Sequence, residues 1–418
     1  MLGRAGPVQW PRSMVQAKGH AVVLAALMWT AAAVVGFAGS GDRGIAGPLK
    51  GADFVHFYTL GHLASAQQTE AIYNMTALHE AQVALVPASA PDLYPPVYPP
   101  QAAALFAPFS GWSYRSALLL WTSITIALYA LIVWSAWTRV AGQLPDRTLV
   151  FAAAAAFPPF WSLIVYGQVT IVILVAFWAG WLALERRHHY LAGLAFGLLA
   201  LKPQFGIPLA VIVLACGEWA MLAGAVSSVV AQAAAVWLML GSSVFSGFAA
   251  TVSATIAHED WLEAKPFMSH SLRAVTRLLP NEVGLPLWIA LAAAVLWYTV
   301  RVWKSDTPVR VRLGIVILAS VLVNPHVIVY DVTLLVLPLI WFGAYMRGPE
   351  RHARAPVFGA TVYWLFAALF IPTAALIGVQ MSVPLMMWLL VFVTRECDAT
   401  CATDQYPQRT YSVGDPVP

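Results

Sequence analysis

An aspartate and a histidine three residues apart are the first residues in the chain whose types could do chemistry together. Asp53 and His56 lie in the stretch GADFVHFY, shortly after the first long apolar segment. In a helix that begins near Gly51, both side chains lie on one face. Asp53 then has two interpretations: an N-cap of a short interfacial helix, or a general base that removes a proton from an acceptor hydroxyl. Position alone does not decide between them.

Lys202 stands inside an apolar run, directly before Pro203 and Gln204. A charged side chain at mid-membrane costs about 3 kcal/mol on insertion scales. The ammonium group either snorkels to the lipid headgroups or forms a fixed cation that suits an anionic ligand, above all a phosphate. The proline favours the second interpretation, because it ends a helix and opens the backbone at this point.

The stretch NPHVIVYD is the third candidate. Asn324 and the proline after it end a helix, and His326 and Tyr330 are expected one turn apart. His326 either contacts a ligand or satisfies a backbone carbonyl. Asp331 stands inside an apolar run and needs a partner, for which Lys202, His326 and a backbone donor are the candidates. We expect Asp331 to orient its neighbours.

Two weaker signals complete the set. Gln168 follows a glycine at a short turn, where it either binds a hydroxylated ligand or caps a helix. His270, Arg273 and Arg277 recur at helical spacing in FMSHSLRAVTRLL. That pattern is typical of a solvated or headgroup-facing surface, and the alternative is a contact to a phosphate or an acceptor.

The elements that position these residues are membrane helices. Of the 418 residues, 60% are hydrophobic and 10% are charged, and the mean hydropathy is +0.73; soluble domains carry roughly 25% charged residues. The sequence therefore predicts an all-α, polytopic integral membrane protein with about 10–12 transmembrane helices. The apolar segments lie at 20–39, 115–138, 148–165, 168–184, 190–201, 204–216, 219–245, 284–303, 311–323, 327–346, 356–376 and 379–394.

The distribution of basic residues predicts the orientation. With the N-terminus in the cytoplasm, 16 of the 23 Lys and Arg residues fall on the cytoplasmic side, as the positive-inside rule requires. This holds only if 190–216 is a hairpin or two short spans. Residues of about 40–114 and 248–283 then form external loops, and the first contains helices near 56–66 and 70–85. The run YPPVYPP follows them and is expected to be extended.

Several functions and ligands are disfavoured. The net charge of +4 comes from scattered basic residues, so we expect no nucleic-acid partner. The sequence has no His/Cys cluster, no DxD-type pair near Asp53 and no cytoplasmic Gly-rich nucleotide loop, so we expect no metal and no cofactor. The first apolar segment is expected to be retained as a signal-anchor. Residues 1–395 are predicted to be one transmembrane domain, and 396–418 a disordered polar tail.

Together, the motifs resemble glycosyltransferase family 87, GT-C-type membrane proteins similar to polyprenyl-phosphate-mannose-dependent mannosyltransferases. The resemblance extends over roughly residues 45–345 and fades after about 380. It rests on DFVHFY with the AIYN that follows it, YPPVYPP, YGQV, LKPQ, HSL and NPHVIVYD, in this order.

The resemblance implies an inverting transfer of a hexose, by family weight mannose, from a polyprenyl-phosphate donor to a hydroxyl of a glycolipid, glycan or protein. It places the active site on the periplasmic or external face of the inner (plasma) membrane. Asp53 corresponds to the base, and Asp331 and Asn324 would orient neighbouring groups. The donor phosphate would be bound by Lys202, His326 and Arg273. The substrates would be contacted by His56, Tyr58, Gln168, Gln204, His270 and Tyr330.

A transporter or lipid flippase is the rival interpretation, because it also explains charges such as Lys202 and Asp331 within the membrane. The long external loops and the absence of a recognisable internal repeat argue against it.

Overall fold

The computed structural model describes residues 12–38, 41–45, 47–257, 268–370 and 373–403, and within these ranges the chain is helical and forms no strand. The α-helices are α1 Arg12–Phe37, α2 Phe54–Ser65, α3 Met75–Leu85, α4 Gln101–Phe106, α5 Tyr114–Thr138, α6 Arg147–Ala155, α7 Pro158–Tyr166, α8 Thr170–Glu185, α9 His189–Phe196, α10 Pro203–Ala215, α11 Trp219–Leu240, α12 Ser243–Ala257, α13 Leu272–Thr276, α14 Asn281–Trp303, α15 Val309–Val323, α16 Val336–Tyr345, α17 Ala355–Phe370, α18 Thr373–Ile377 and α19 Ser382–Thr403. Short 3₁₀ helices lie at Thr69–Tyr73, Pro87–Ser89, Ala107–Gly111, Gly197–Leu201, Val329–Leu335 and His352–Arg354.

The described helices confirm an all-α, multi-pass membrane architecture. Five segments are long and apolar enough to cross a bilayer, or six if the bent pair α6–α7 is one span. The predicted count of about 10–12 is not reached by full-length helices, because several apolar segments form helices too short to cross alone. The five are Val15–Val34, Tyr114–Thr138, Trp219–Leu240, Asn281–Trp303 and His352–Phe370, and the shorter apolar ones are Thr170–Glu185, His189–Leu201, Pro203–Ala215 and Val329–Tyr345.

Three helical hairpins dominate the centre of the fold. The first joins α7 to α8 through a turn at Gly167, the second joins α9 to α10 through Lys202, and the third joins α15 to α16 through the segment 324–335. The predicted helix ends at Lys202 and Asn324 are therefore confirmed. Proline cannot continue the helical hydrogen-bond ladder, which accounts for both breaks. We call these three turns the polar end.

The other ends of the hairpins meet at a second place, the charged end. Glu218, just before α11, lies 3.1 Å from the His189 ring at the start of α9 and accepts a hydrogen bond of 3.0 Å from Trp303. On the same side of the hairpins, Arg139 forms an ion pair of 3.5 Å with Glu185. Because 189 and 218 meet, the segment between them runs out and back, as expected for either a hairpin or two short spans.

Glycines let the second hairpin pack tightly against α11. A Cβ on Gly193 would lie 2.0 Å from the Met221 carbonyl oxygen, and one on Gly224 would lie 2.1 Å from the Tyr190 carbonyl oxygen. Small residues at helix contacts are a common means of close packing in membranes. This contact fixes α9 and therefore the turn that carries Lys202.

The first predicted external loop is folded against the hairpins. Helix α2 is almost entirely buried, and α3 begins at Met75 with the Asn74 side chain as its cap. The run YPPVYPP lies outside any helix, as predicted. Residues 39, 40 and 46 of this loop, and 258–267 of the second one, lie outside the described residues.

The C-terminal region departs from the predicted boundary. Helix α19 continues past residue 395 to Thr403, and Cys397 is buried. Glu396, also buried, forms an ion pair with Arg354. The prediction of a disordered tail from 396 is therefore wrong for residues 396–403, and 404–418 lie outside the described residues.

Candidate active site

Asp53 occupies the N-cap position of α2 but does not cap it. Its backbone is already in the right-handed helical region, with φ −83° and ψ −22°, and its side chain makes no capping hydrogen bond. Instead, the backbone N–H of Asp53 donates to the Tyr166 carbonyl at 3.0 Å. The simple capping interpretation is therefore wrong, and the carboxylate points to other partners.

Gln168 holds the Asp53 carboxylate. Its amide Nε2 donates to Asp53 Oδ2 at 2.6 Å, and its Oε1 accepts from the Tyr98 hydroxyl at 3.0 Å and from the Val169 N–H at 3.2 Å. Two donors on the oxygen fix the orientation of the amide, so that its NH₂ group faces the carboxylate. Gln168 is buried, and its local role is therefore orientation of Asp53 rather than helix capping.

Gly167 makes this contact sterically possible. Its φ is +67°, and a Cβ at this position would lie 2.6 Å from Cβ of Phe54. The Trp121 indole donates to the Gly167 carbonyl at 3.1 Å. Only glycine meets both requirements without strain, so the YGQV motif brings α7 and α2 close enough for Gln168 to reach Asp53.

Lys202 is buried in an ion pair. Its Nζ lies 2.6 Å from Asp331 Oδ1 and donates to the Thr170 hydroxyl at 3.1 Å, and that hydroxyl donates to the same carboxylate oxygen at 2.5 Å. Lys202 and Asp331 are 3% and 1% exposed, so the snorkelling interpretation is wrong. Among the three partners expected for Asp331, the structure selects Lys202.

Tyr98 contacts one partner of each of the two carboxylates. While its hydroxyl binds Gln168, its ring centroid lies 5.9 Å from Lys202 Nζ. The Tyr330 ring lies 5.0 Å from the same nitrogen, a favourable cation–π distance. We call Asp53, Gln168, Tyr98, Thr170, Lys202 and Asp331 the polar cluster.

His56 lies one turn along α2 from Asp53. It is 3% exposed, and its ring is surrounded by the rings of Phe57, Tyr94 and Tyr98 at centroid distances of 5.8, 6.0 and 5.9 Å. Burial lowers the pKa of His56 to about 4. The imidazole is therefore neutral at pH 7, with one donor and one acceptor nitrogen.

His270 is buried rather than solvated. Its backbone N–H donates to the Val327 carbonyl at 2.8 Å, and its Nδ1 lies 2.7 Å from the Ser382 hydroxyl. Its Nε2 lies 3.2 Å from the amide nitrogen of Gln380. Burial lowers the pKa of His270 to about 3. The neighbouring Arg273 is also buried and donates to Asn281 at 3.3 Å.

The solvated-face prediction is thus wrong for His270 and Arg273, because the helix there spans only Leu272–Thr276. The segment before it pairs with the NPHVIVYD motif through an antiparallel bridge between Ser269 and Ile328. We call the two segments 268–273 and 324–328 the bridge pair. It places Arg273 and the motif that leads to Asp331 in neighbouring segments.

His326 and Asn324 lie within this bridge pair. The Asn324 side chain accepts from the His326 N–H at 3.0 Å. The expected one-turn relation between His326 and Tyr330 is wrong, because His326 lies in a non-helical segment and the 3₁₀ helix begins at Val329. His326 is half-buried, and its predicted role at the phosphate stays a prediction.

Two predicted substrate contacts lie apart from the polar cluster. The Tyr58 hydroxyl donates to the Trp112 carbonyl at 2.8 Å, five residues along α2 from Asp53 and therefore on nearly the opposite side of the helix. Gln204 lies half-buried in the first turn of α10. Their roles in binding stay predictions.

The sequence interpretation missed the residues that connect the site. Tyr98 lies in the run YPPVYPP, which the sequence predicts only to be extended, although a phenolic hydroxyl in such a run is a usable signal. Thr170 begins an apolar helix and gives no signal of its own. Gln380 and Ser382 lie in an apolar stretch far along the chain, where two buried polar residues could have indicated a polar contact.

The groups of the polar cluster are suited to acid–base work. No group of three or more His, Cys, Asp or Glu suitable for a metal ion occurs among the described residues. A half-buried carboxylate oriented by an amide can accept a proton from a hydroxyl. A buried cation and nearby N–H and O–H donors can stabilise a departing anion.

Comparison with known proteins gives a family match. No curated protein and no solved structure matches the chain. A model of glycosyltransferase family 87 matches residues 97–325, more than half of the chain. The matched region includes Tyr98, Gln168, Lys202 and Arg273, whereas Asp53 lies before it. The matched stretch spans the first two hairpins and the start of the third. Because the match covers more than half of the chain, the chain belongs to glycosyltransferase family 87.

Proposed function

We propose that this membrane glycosyltransferase moves a hexose, by family resemblance mannose, from a polyprenyl-phosphate donor to a hydroxyl acceptor, with inversion at the anomeric carbon. The acceptor is a glycolipid, a glycan or a protein. The observation that carries the proposal is the 2.6 Å hydrogen bond by which Gln168 orients the Asp53 carboxylate beside the Lys202–Asp331 pair.

The proposed reaction is a single displacement. Asp53 takes the proton of the acceptor hydroxyl while that oxygen bonds to the anomeric carbon. The bond from this carbon to the donor phosphate breaks on the opposite face, and its electron pair leaves with the phosphate. Attack opposite to the leaving group inverts the configuration, as in other inverting transfers that use one carboxylate base.

The leaving phosphate is assigned to Lys202 and to Arg273 and His326 of the bridge pair. Lys202 contributes an N–H donor more than net charge, since Asp331 already balances it. The guanidinium of Arg273 suits a phosphate because its N–H groups match the geometry of phosphate oxygens. Preorganised donors of this kind stabilise developing negative charge.

We place the reaction on the periplasmic or external face, with the N-terminus in the cytoplasm. The distribution of Lys and Arg supports this orientation. The ion pair of Lys18 with Asp146 also agrees with it, because the N-terminal segment and the loop that contains Asp146 are both predicted to be cytoplasmic. A lipid-linked donor fits this face, where nucleotide sugars are not expected.

The decisive experiment supplies membranes that contain wild-type protein or Asp53→Asn with radiolabelled polyprenyl-phosphate mannose. We expect glycosidic product with the wild type and a loss of about 10²- to 10⁴-fold with the variant, at equal expression. Wild-type turnover in Asp53→Asn would exclude Asp53 as the base. Movement of lipid across the membrane without any glycosidic product would favour the flippase interpretation.

A comparison of cell-envelope glycolipids with and without the protein identifies the acceptor. We expect mass spectrometry to show one class of glycolipid or glycan that loses a single hexose when the protein is absent. A change of a pentose instead would contradict the hexose assignment while leaving the transfer reaction intact.

A further inference from the structure

His56 is a buried polar residue whose hydrogen-bonding needs are not met by the described chain. Neither of its ring nitrogens has a hydrogen-bond partner there, although the side chain is 97% buried. Buried polar atoms are nearly always paired, because leaving one unpaired forfeits its hydration without compensation. The residue thus points to a group that the chain itself does not supply.

The surroundings of His56 are aromatic. The Tyr94 and Tyr98 rings are tilted by 40° and 45° to the imidazole, and both belong to the extended proline run. Aromatic rings offer an apolar surface, and a few polar atoms set among them fix the orientation of a ligand. A sugar ring has both kinds of surface, with C–H groups on its faces and hydroxyls at its edge.

The charge state of the imidazole argues for hydroxyl groups rather than an anion. Since the ring is neutral at pH 7, it has an acceptor nitrogen that needs a donor and an N–H that needs an acceptor. A phosphate diester or a carboxylate supplies acceptors only. A hydroxyl can do either, so two hydroxyls of a sugar satisfy both nitrogens.

The aromatic surroundings also lie beside the proposed base. Asp53 and His56 are three residues apart at the start of α2, a spacing that brings side chains together on a helix surface. Burial raises the pKa of Tyr94, and the charge of Asp53 raises it further. The same two causes raise the pKa of Tyr98, with Lys202 opposing them. Both phenols therefore lie within the electrostatic reach of Asp53.

We propose that His56, Tyr94 and Tyr98 form a sugar-binding wall beside Asp53, on which His56 hydrogen-bonds to sugar hydroxyls and so determines which sugar is accepted. This inference rests on the proposed transferase function. For a sugar hydroxyl to reach the imidazole, the Tyr94 and Tyr98 rings have to reorient around it, because the His56 ring nitrogens are enclosed in this structure. The sugar on the wall is either that of the donor or that of the acceptor.

The test compares His56→Phe and His56→Gln with the wild type on a series of monodeoxy sugars. In one arm the donor sugar lacks a single hydroxyl, and in the other arm the acceptor does. With the full substrates we expect His56→Phe to lower kcat/KM about 10- to 100-fold and His56→Gln less, since its amide keeps a donor and an acceptor.

The deoxy sugars separate recognition from a structural role. For each analogue that lacks one of the two recognised hydroxyls, the difference in kcat/KM between wild type and His56→Phe should become smaller than with the full substrates. The arm in which the difference shrinks shows whether the sugar on the wall is that of the donor or that of the acceptor. The same loss for every analogue in both arms, or no loss at all, would overturn the proposal.

Ligand-free stability provides an independent test. Phenylalanine fills a similar volume without polar atoms, so His56→Phe should have a higher Tm in detergent than the wild type. A lower Tm would mean that the imidazole is satisfied inside the protein and would contradict the proposal. Phe57→Leu is the matched control, since it removes packing at the adjacent position and should lower the Tm.

The transferase assignment and the sugar-binding wall can be tested separately. If the wild type makes no product from any polyprenyl-phosphate sugar, the transferase assignment fails. The wall is then tested by binding, with methyl glycosides of mannose, glucose and galactose as probes. We expect one of them to raise the Tm of the wild type but not of His56→Phe, and equal shifts in both proteins would overturn the inference.

Discussion

The beginning of α2 and the turn that follows α15 each contribute one aspartate to the polar cluster, and the two are held in opposite ways. Asp331 is 1% exposed and pairs with the Lys202 ammonium, so its charge is balanced within the protein. Asp53 is half-buried and receives a neutral amide donor from Gln168. A carboxylate that must accept a proton is better placed in the second environment, and one that fixes a fold is better placed in the first.

The largest expected effect is a loss of stability, and it is measured by removing the charge of each aspartate in turn. Asp331→Asn leaves the buried Lys202 ammonium without its carboxylate, which should cost about 3–5 kcal/mol of stability. Asp53→Asn keeps an oxygen for the Gln168 amide and should cost less than about 1 kcal/mol. Thermal inactivation in detergent, followed by size-exclusion chromatography, measures both. Equal decreases of the Tm in the two variants would mean that the two carboxylates contribute equally to stability and would contradict this contrast.

Replacing both partners of the ion pair sharpens the same contrast. Lys202→Met combined with Asp331→Leu removes both charges, and buried pairs replaced by apolar residues often recover most of the lost stability. We therefore expect the double variant to be more stable than either single variant, by about 2 kcal/mol or more. Transfer activity should remain low in the double variant. Recovered activity would exclude Lys202 from the phosphate site.

A smaller effect is expected from the residue that orients Asp53. Gln168→Leu removes the 2.6 Å hydrogen bond to the carboxylate and should lower kcat about tenfold or more, since misplacement of a reacting group is costly. Gln232→Leu is the matched control, because Gln232 donates to the Gly197 carbonyl at 2.9 Å, away from the cluster. A control that lost as much activity would indicate a general packing defect.

The smallest expected effect is the contribution of the buried His270 to the pH dependence of stability. The pKa of His270 is about 3 in the folded protein and near 6.5 when unfolded, so the unfolded state takes up a proton that the folded state refuses. Stability is therefore complete above about pH 6.5 and falls as the pH drops toward 3. His270→Gln should lose less stability than the wild type between pH 7 and pH 5, a difference on the order of 1–2 kcal/mol. An identical pH dependence would assign the acid sensitivity to the carboxylates.

The sequence predicted where helices end, but not which of these helix ends contact one another. Pro203 and Pro325 carry local information, because a proline ends a helix whatever surrounds it. The partners of the cluster are 115 residues apart for Gln168 and Asp53 and 129 for Lys202 and Asp331. The residues next to each partner in the sequence carry no information about such distant contacts. The sequence therefore predicted only a set of candidate partners for Asp331.

The prediction that His270 and Arg273 lie on a solvated face was wrong for a related reason. His270 and Arg273 have helical spacing, but the helix there has only five residues, and bridge pairing with Ile328 overrides the amphipathic pattern. The predicted count of about 10–12 spans exceeds the five or six full-length spans among the described residues, because apolar composition does not distinguish a full crossing from one arm of a hairpin. The role of Tyr98 was not predicted, because its motif YPPVYPP was interpreted only as an extended segment.

The two ends of the hairpins differ in how they should tolerate inserted peptides. At the polar end, a single Cβ on Gly167 would already collide with Phe54, so an epitope tag or reporter inserted there should abolish folding or activity. At the charged end, Gly142 has no atom within 4 Å of such a Cβ, and Gln143 is exposed. A fluorescent or affinity label is best introduced between these two residues, where exposed turns accept insertions.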